Sequence, residues 1–286
     1  MEKLRTKKSV FQTDSDIVND VYFNQSNYLV EYDDKCSSTE YCAIYFCSND
    51  IYYPNREDIF RKRIVEKNFF EWYGSRVAKA HKHIFIRDIF KQWYLSGINS
   101  TINDPEKLEA FLKEATKGYK TIMVGSSAGG YAAILYGSLL HASRVIAFNP
   151  QFEINSLLKK SNETIDPLLF RLRDSSVSKY YDIVPIINSA VPIYYIYSDS
   201  SPWDASQKKH VGELDNLYEI PFNSKHHGIP FLKVALNVVL NLTEKDFIKY
   251  QNNRQNPIIF TIKMVGVIET FTGLIKQLYK SYKKRH

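Results

Sequence analysis

Three stretches of this sequence carry residues able to do nucleophilic chemistry together, and their order along the chain matters. The first is Gly125-Ser126-Ser127-Ala128-Gly129, a G-x-S-x-G inside YKTIMVGSSAGGYAAILYG (119–137). The second is SDSSPWDASQ, which holds Asp199 and Asp204, and the third is NSKHHGIP, which holds His226 and His227. A serine hydroxyl is a weak nucleophile at neutral pH and needs a base to take its proton. An imidazole is the usual base, and a carboxylate holds it in the right tautomer. Serine, then acid, then histidine, each behind an apolar run, is the set needed for acyl transfer through Ser127.

A lone G-x-S-x-G is weak, because small residues gather in many turns and the serine is then idle. Its context strengthens it. The motif follows an apolar strand-like run and opens an apolar helix-like one, which predicts a sharp strand-turn-helix with Ser127 at the tip and the Ala128 N–H facing the substrate carbonyl. His227 precedes Gly228, so a tight turn can aim its imidazole at Ser127, which leaves His226 as a surface histidine. Asp204 has the reach to meet the histidine, although the N-cap of a helix in WDASQKKHV accounts for it equally simply. Asp199, at the strand end, is its rival. A second oxyanion donor is expected from FCSNDIYYPN, at the backbone N–H of Cys47 or Ser48, unless that stretch is a plain loop. Cys47 as a nucleophile has no base placed for it in sequence order. In RDIFKQWYLSG (87–97), Arg87 is a candidate for holding an acidic sugar or phosphate, and Trp93 and Tyr94 for stacking on a sugar ring. The structural alternative is an Arg87–Asp88 network and two core aromatics.

Positioning these groups falls to alternating elements. Runs rich in Val, Ile and Tyr predict strands at 27–32, 41–50, 83–88, 120–125, 143–150, 191–198 and 216–222. Helical periodicity marks 105–119, 130–140 and 230–242. Strands alternating with helices imply an α/β fold, with a mostly parallel central sheet and helices on both faces. Residues 151–190 break the rhythm and read as a short, lid-like helical insertion. The predicted organisation is a polar, loosely structured segment (1–26), an α/β domain (27–245) and a basic amphipathic tail (246–286).

Composition narrows the rest. Of 286 residues, 44% are hydrophobic and 24% charged, an ordinary globular balance. The net charge of +7 raises nucleic acid, an acidic polymer or an anionic membrane as partners. Much of the excess lies in the tail, where Lys276, Lys280, Lys283, Lys284 and Arg285 follow Thr270 with no acid among them. That stretch is short and apolar, which fits lipid better than nucleic acid. Met264, Val267, Ile268, Phe271, Leu274, Ile275, Leu278 and Tyr282 recur at helical spacing. Lys263 and Glu269 interrupt them, so the tail reads as a poor membrane span and a good interfacial helix over 257–286. Docking on its own domain or on a second subunit is the alternative. The three cysteines, Cys36, Cys42 and Cys47, form no paired framework or C-x-x-C. Reduced thiols, a cytoplasmic setting and no metal site are therefore expected. The basic N-terminus has no apolar run behind it and is not a signal peptide.

With these residues in view, the chain over about 40–242 resembles the α/β-hydrolase superfamily. The likeness rests on Gly125-Ser126-Ser127-Ala128-Gly129, a late Asp and His227-Gly228. More narrowly, AIYFCSNDIYYPN, IFIRDIFKQWYLSGIN, VGSSAGGYAAILYG and SPWDASQ resemble bacterial hydrolase-fold proteins of capsule and surface-polysaccharide biosynthesis, some of them O-acetyltransferases. The resemblance implies a Ser127–His227–Asp204 triad, no bound cofactor, acetyl-CoA as an acyl donor and a polysaccharide or other sugar-containing acceptor. Together with the cysteines and the basic tail, the expectation is a cytoplasmic enzyme, peripheral on the inner face of the membrane. A carbohydrate esterase and a non-catalytic accessory protein are the alternatives. Cys47-Ser48-Asn49 departs from the His-Gly that most such proteins carry in the early oxyanion loop.

Overall fold

The computed structural model describes residues 9–285, with side chains to 279. The start of the polar N-terminal segment (1–8) and the side chains of Lys280, Tyr282, Lys283, Lys284 and Arg285 lie outside the described residues. A seven-stranded sheet forms the centre, in the order β1-β3-β2-β4-β5-β6-β7. The strands are β1 (Tyr28–Tyr32), β2 (Tyr41–Phe46), β3 (Lys82–Ile86), β4 (Lys120–Ser126), β5 (Arg144–Phe148), β6 (Ile193–Ser198) and β7 (Leu217–Phe222). β1 runs antiparallel to β3 and every other pair is parallel. The apolar runs are continuous because both faces are covered.

Alternate residues of each strand feed two cores. Cys42, Ile44 and Phe46 of β2 face one layer, with Leu108, Leu112, Tyr131 and Leu135. These last come from the helices Pro105–Ala115 and Ala128–Leu139. Ala43 and Tyr45 face the other layer, with Phe70, Trp72, Phe231, Val239 and Phe247. The helix expected over 230–242 is reduced to a 3-10 turn, Lys233–Ala235, and a short helix, Leu236–Leu240.

The N-terminal segment differs from the loosely structured expectation. Asp16–Asn24 is a helix with Val18, Val21 and Tyr22 buried. Its apolar residues recur three to four apart, so one face docks while the rest stays polar. Residues 151–190 form short helical turns, and Phe152, Ile154, Leu169, Tyr180, Tyr181 and Ile183 are buried against the first core layer.

The C-terminal helix, Pro257–Arg285, breaks at Gly266, whose φ of 83° interrupts the helical backbone. Before the break, Phe260 is buried among Phe222, Phe231 and Tyr250. After it, Thr270 is buried and Gly273 lies against Val234. Val267, Ile268, Phe271, Ile275 and Leu278 are exposed. The most apolar 18-residue window of Pro257–Tyr279 has a mean hydropathy of 1.8, so by length and composition this helix could cross a bilayer, despite Lys263 and Glu269.

Candidate active site

Ser127 sits at the turn between β4 and the helix Ala128–Leu139, with φ 53° and ψ −123°. A residue with a Cβ rarely adopts this conformation. It is held by Ser127 N–H donating to the Phe148 carbonyl at 2.9 Å and by the helix that starts at the next residue. Small residues make the turn fit. A Cβ on Gly129 would lie 2.2 Å from the Phe46 carbonyl oxygen. Only glycine lets the end of β2 approach the helix N-terminus so closely, and that approach brings the loop after β2 to Ala128. The Ala128 N–H is among the first four of its helix, which have no intrahelical acceptor.

The imidazole of His227 lies between serine and acid. Its Nε2 is 2.8 Å from Ser127 Oγ and its Nδ1 is 2.8 Å from Asp204 Oδ1. With Nδ1 protonated and donating to Asp204, Nε2 is left to accept the serine proton. Asp204 is 1% exposed, and its Oδ2 has no partner among the described residues. It belongs to the helix Pro202–Val211, but Ser201 is the N-cap and Asp204 stands within the first turn, so the capping role considered for it falls to Ser201. Asp199 is taken by Arg254, whose guanidinium donates to both of its oxygens. His226 is exposed beside the cleft. Partial desolvation against the cleft wall and then the neighbouring His227 lower its proton affinity.

Sequence reading passed over the residue that seats the histidine loop. Asn149, fully buried at the end of β5, donates through Nδ2 to the Gly228 carbonyl at 2.6 Å and the His226 carbonyl at 3.3 Å, one on each side of His227. Gly228 has φ 121°, which a side chain would strain. Gln151, also missed, places Nε2 3.4 Å from both Ser127 Oγ and His227 Nε2. The only sequence signal for either was a polar residue just past a buried strand.

The expected oxyanion donors need correction. The Cys47 N–H donates to the Ile86 carbonyl at 3.0 Å, as a continuation of strand pairing. The Ser48 N–H donates to Glu71 Oε2 at 2.5 Å, and Ser48 Oγ to Glu71 Oε1 at 3.1 Å. Neither N–H is free for substrate. Burial pushes the Glu71 carboxyl up, while the bonds from Ser48 and the charge of Lys233 oppose that rise. Burial likewise pushes up the Cys47 thiol, which suits a packed residue and not a nucleophile.

The proposed substrate contacts also need correction. Arg87 is 1% exposed and donates to Asn27, Gln25 and the Phe69 carbonyl, over the ring of Phe70. Burial depresses its pKa to about 10. Asp88 is not its partner; it accepts the N–H groups of Lys91, Gln92 and Tyr94 and shapes that turn. Tyr94 is buried and donates to the Cys47 carbonyl at 2.9 Å. Trp93, 7% exposed, donates to Gln151. Both rings are packed and present no face to a sugar.

Ser127 opens on a cleft of about 100 Å³ lined by Ser48, Asn49, Glu71, His226, His227 and Lys233 among others. A larger cleft of about 560 Å³ lies at the opposite ends of the strands, around Tyr41, Arg144 and Pro192, away from Ser127.

A serine at the turn after β4, a carboxylate past β6 and a histidine past β7, on a mostly parallel sheet, decide the architecture. The fold is α/β-hydrolase-like. No protein-family model matches the sequence, and no curated protein matches it either. Solved structures similar to it include a Staphylococcus aureus protein of unknown function, at 10% identity and TM-score 0.46, covering 83% of this chain and 94% of that one. The capsule O-acetyltransferase of Neisseria meningitidis serogroup A is similar at 14% identity and TM-score 0.45, over 66% of this chain and 78% of that one. A variant of that protein is a complex with CoA. The S-formylglutathione hydrolase of Agrobacterium tumefaciens is similar at 13% identity and TM-score 0.40, over 68% and 80%.

Proposed function

We propose that this protein is a serine acyl-transfer enzyme that O-acetylates a sugar hydroxyl of a surface polysaccharide or its precursor. The observation that carries the reading is the relay of two 2.8 Å contacts, from Ser127 Oγ to His227 Nε2 and from His227 Nδ1 to Asp204. Ser127 Oγ attacks the donor carbonyl as His227 Nε2 takes its proton. The imidazolium is held by Asp204, then gives that proton to the leaving thiolate of a donor such as acetyl-CoA. In the second half, His227 takes the proton of an acceptor hydroxyl, whose oxygen attacks the acyl-serine, and Ser127 leaves with the proton returned. A polar cleft of about 100 Å³ favours a short acyl group over a fatty one. The sugar acceptor is carried over from the sequence resemblance. The exposed apolar side of the tail, with the lysines of its last turns, brings the enzyme to an anionic membrane face in this reading.

One feature favours water as a second acceptor, and with it an esterase. The His227 side chain is 37% exposed, so solvent reaches the base. Intact-mass labelling with a fluorophosphonate tests the nucleophile. One adduct on the wild type, lost in Ser127→Ala and His227→Ala, is expected. No adduct in any form would turn the reading toward a non-catalytic accessory protein. Acetyl-CoA consumption with and without polysaccharide then separates transfer from hydrolysis. Retention in the soluble fraction during flotation with anionic vesicles would remove the membrane part.

A further inference from the structure

The loop after β2 is gripped residue by residue. Trp72 Nε1 donates to the Phe46 carbonyl at 2.8 Å. Tyr94 OH donates to the Cys47 carbonyl at 2.9 Å. Glu71 accepts both donors of Ser48, its N–H and its hydroxyl. Glu71 is fastened in turn, since its own N–H donates to Cys47 Sγ at 3.3 Å. Consecutive residues 46, 47 and 48 are thereby held at fixed positions against the N-terminus of the elbow helix. Asn49 is the next residue. It is half-buried, it lines the Ser127 cleft, and its N–H has no acceptor among the described residues.

We infer that the second oxyanion donor of this site is the backbone N–H of Asn49, one residue beyond those the sequence pointed to, and that Glu71 is the positioning residue that aims it. The inference rests on the acyl-transfer reading of Ser127. A tetrahedral intermediate needs two donors fixed before its charge develops. Ala128 supplies one from the helix N-terminus. Cys47 is spent on the sheet and Ser48 on Glu71, so the first unspent N–H on that side of the cleft belongs to Asn49. A carboxylate suits the bracing role because it accepts two bonds from one residue and so fixes both the position and the rotation of the peptide that follows. This also answers the departure at Cys47-Ser48-Asn49: the hole is built by a side-chain clamp in place of a His-Gly turn.

The test is steady-state hydrolysis of 4-nitrophenyl acetate by the full chain, with kcat and KM measured separately and melting followed in parallel. Glu71→Ala is expected to lower kcat about 100-fold, the scale of losing one oxyanion donor, with KM within about threefold. Glu71→Gln keeps an acceptor for the Ser48 N–H and should stay within about tenfold of the wild type. Asn49→Pro deletes the N–H itself and should match Glu71→Ala. A folded Glu71→Ala with wild-type kcat, or a loss that appears in KM alone, overturns the inference. A folded Asn49→Pro with wild-type kcat does the same, and if that variant does not fold the Glu71 pair decides. A wild type that neither turns over the ester nor labels at Ser127 fails differently: it removes the acyl-transfer reading, and the inference with it.

Discussion

The backbone at Ser127 stores strain that can be weighed against the chemistry it serves. With φ 53° and ψ −123°, Ser127 occupies a region that costs a residue bearing a Cβ about 1–3 kcal/mol. Ser127→Gly relieves that strain but gives the unfolded chain more freedom, a loss of about 0.5–1 kcal/mol. The net gain is about 0–2.5 kcal/mol. Ser127→Ala keeps the Cβ and so keeps the strain. An unfolding entropy of about 2.1 cal/mol/K per residue, over 286 residues, makes each kcal/mol worth about 2 °C in Tm. The glycine variant should therefore melt up to about 4 °C above the alanine variant, while both lose fluorophosphonate labelling completely. The assay is a matched pair of calorimetric melts at one pH. A glycine variant that melts below the alanine variant would refute the strain, and with it the idea that the elbow trades stability for an exposed nucleophile.

Asp204→Asn should lower kcat by about 10⁴, because the amide no longer holds the Nδ1–H tautomer. The melting temperature should stay within a few degrees, since the lost bond to His227 is offset by no longer burying a charge, and turnover set beside a melt checks both. Asn149→Ala removes the bonds to the carbonyls flanking His227. It should cost about 1–3 kcal/mol of stability and lower kcat more than tenfold while Ser127 itself is untouched, as denaturant titration and ester turnover would show. Cys42 is buried with its pKa pushed up to about 12, and burial pushes Cys47 up as well, so both remain protonated thiols at pH 8. Cys36 is partly exposed. A thiol reagent at pH 8 should modify the native protein once, at Cys36, and the denatured protein three times, once at each of its three cysteines.

The sheet was legible because its strands are buried on both faces and so read as unbroken runs of Val, Ile and Tyr. The pairing of Ser127 with His227 was legible because local features carried it, a glycine-rich turn and Gly228 after the histidine; Asp204 and Asp199 stayed rivals in sequence, and what separates them is Arg254, a distant residue that holds Asp199. What local sequence does not encode is where a side chain points after folding. Arg87, Trp93 and Tyr94 have the composition of a sugar-binding strip, yet all three are packed inside, and an arginine satisfied by Asn27 and Gln25 looks no different in sequence from one that meets a ligand. Glu71 and Asn149 act across large sequence separations, and nothing near them announces it. The apolar residues of Asp16–Asn24 were outweighed by the polar segment around them.

The break at Gly266 has a consequence for anyone who wants this protein in dilute buffer. The obvious remedy for an oily terminus is to remove it, but the first turns of the C-terminal helix are fused to the body of the molecule. A chain ending at Gln255 loses Phe260, uncovering Phe222, Phe231 and Tyr250 at a cost of about 3–5 kcal/mol, and one ending at Val265 still strips the cover from Val234. Replacing Ile268, Phe271, Ile275 and Leu278 with polar residues leaves those seats filled and changes only residues that are more than half exposed. The terminus is better repainted than cut.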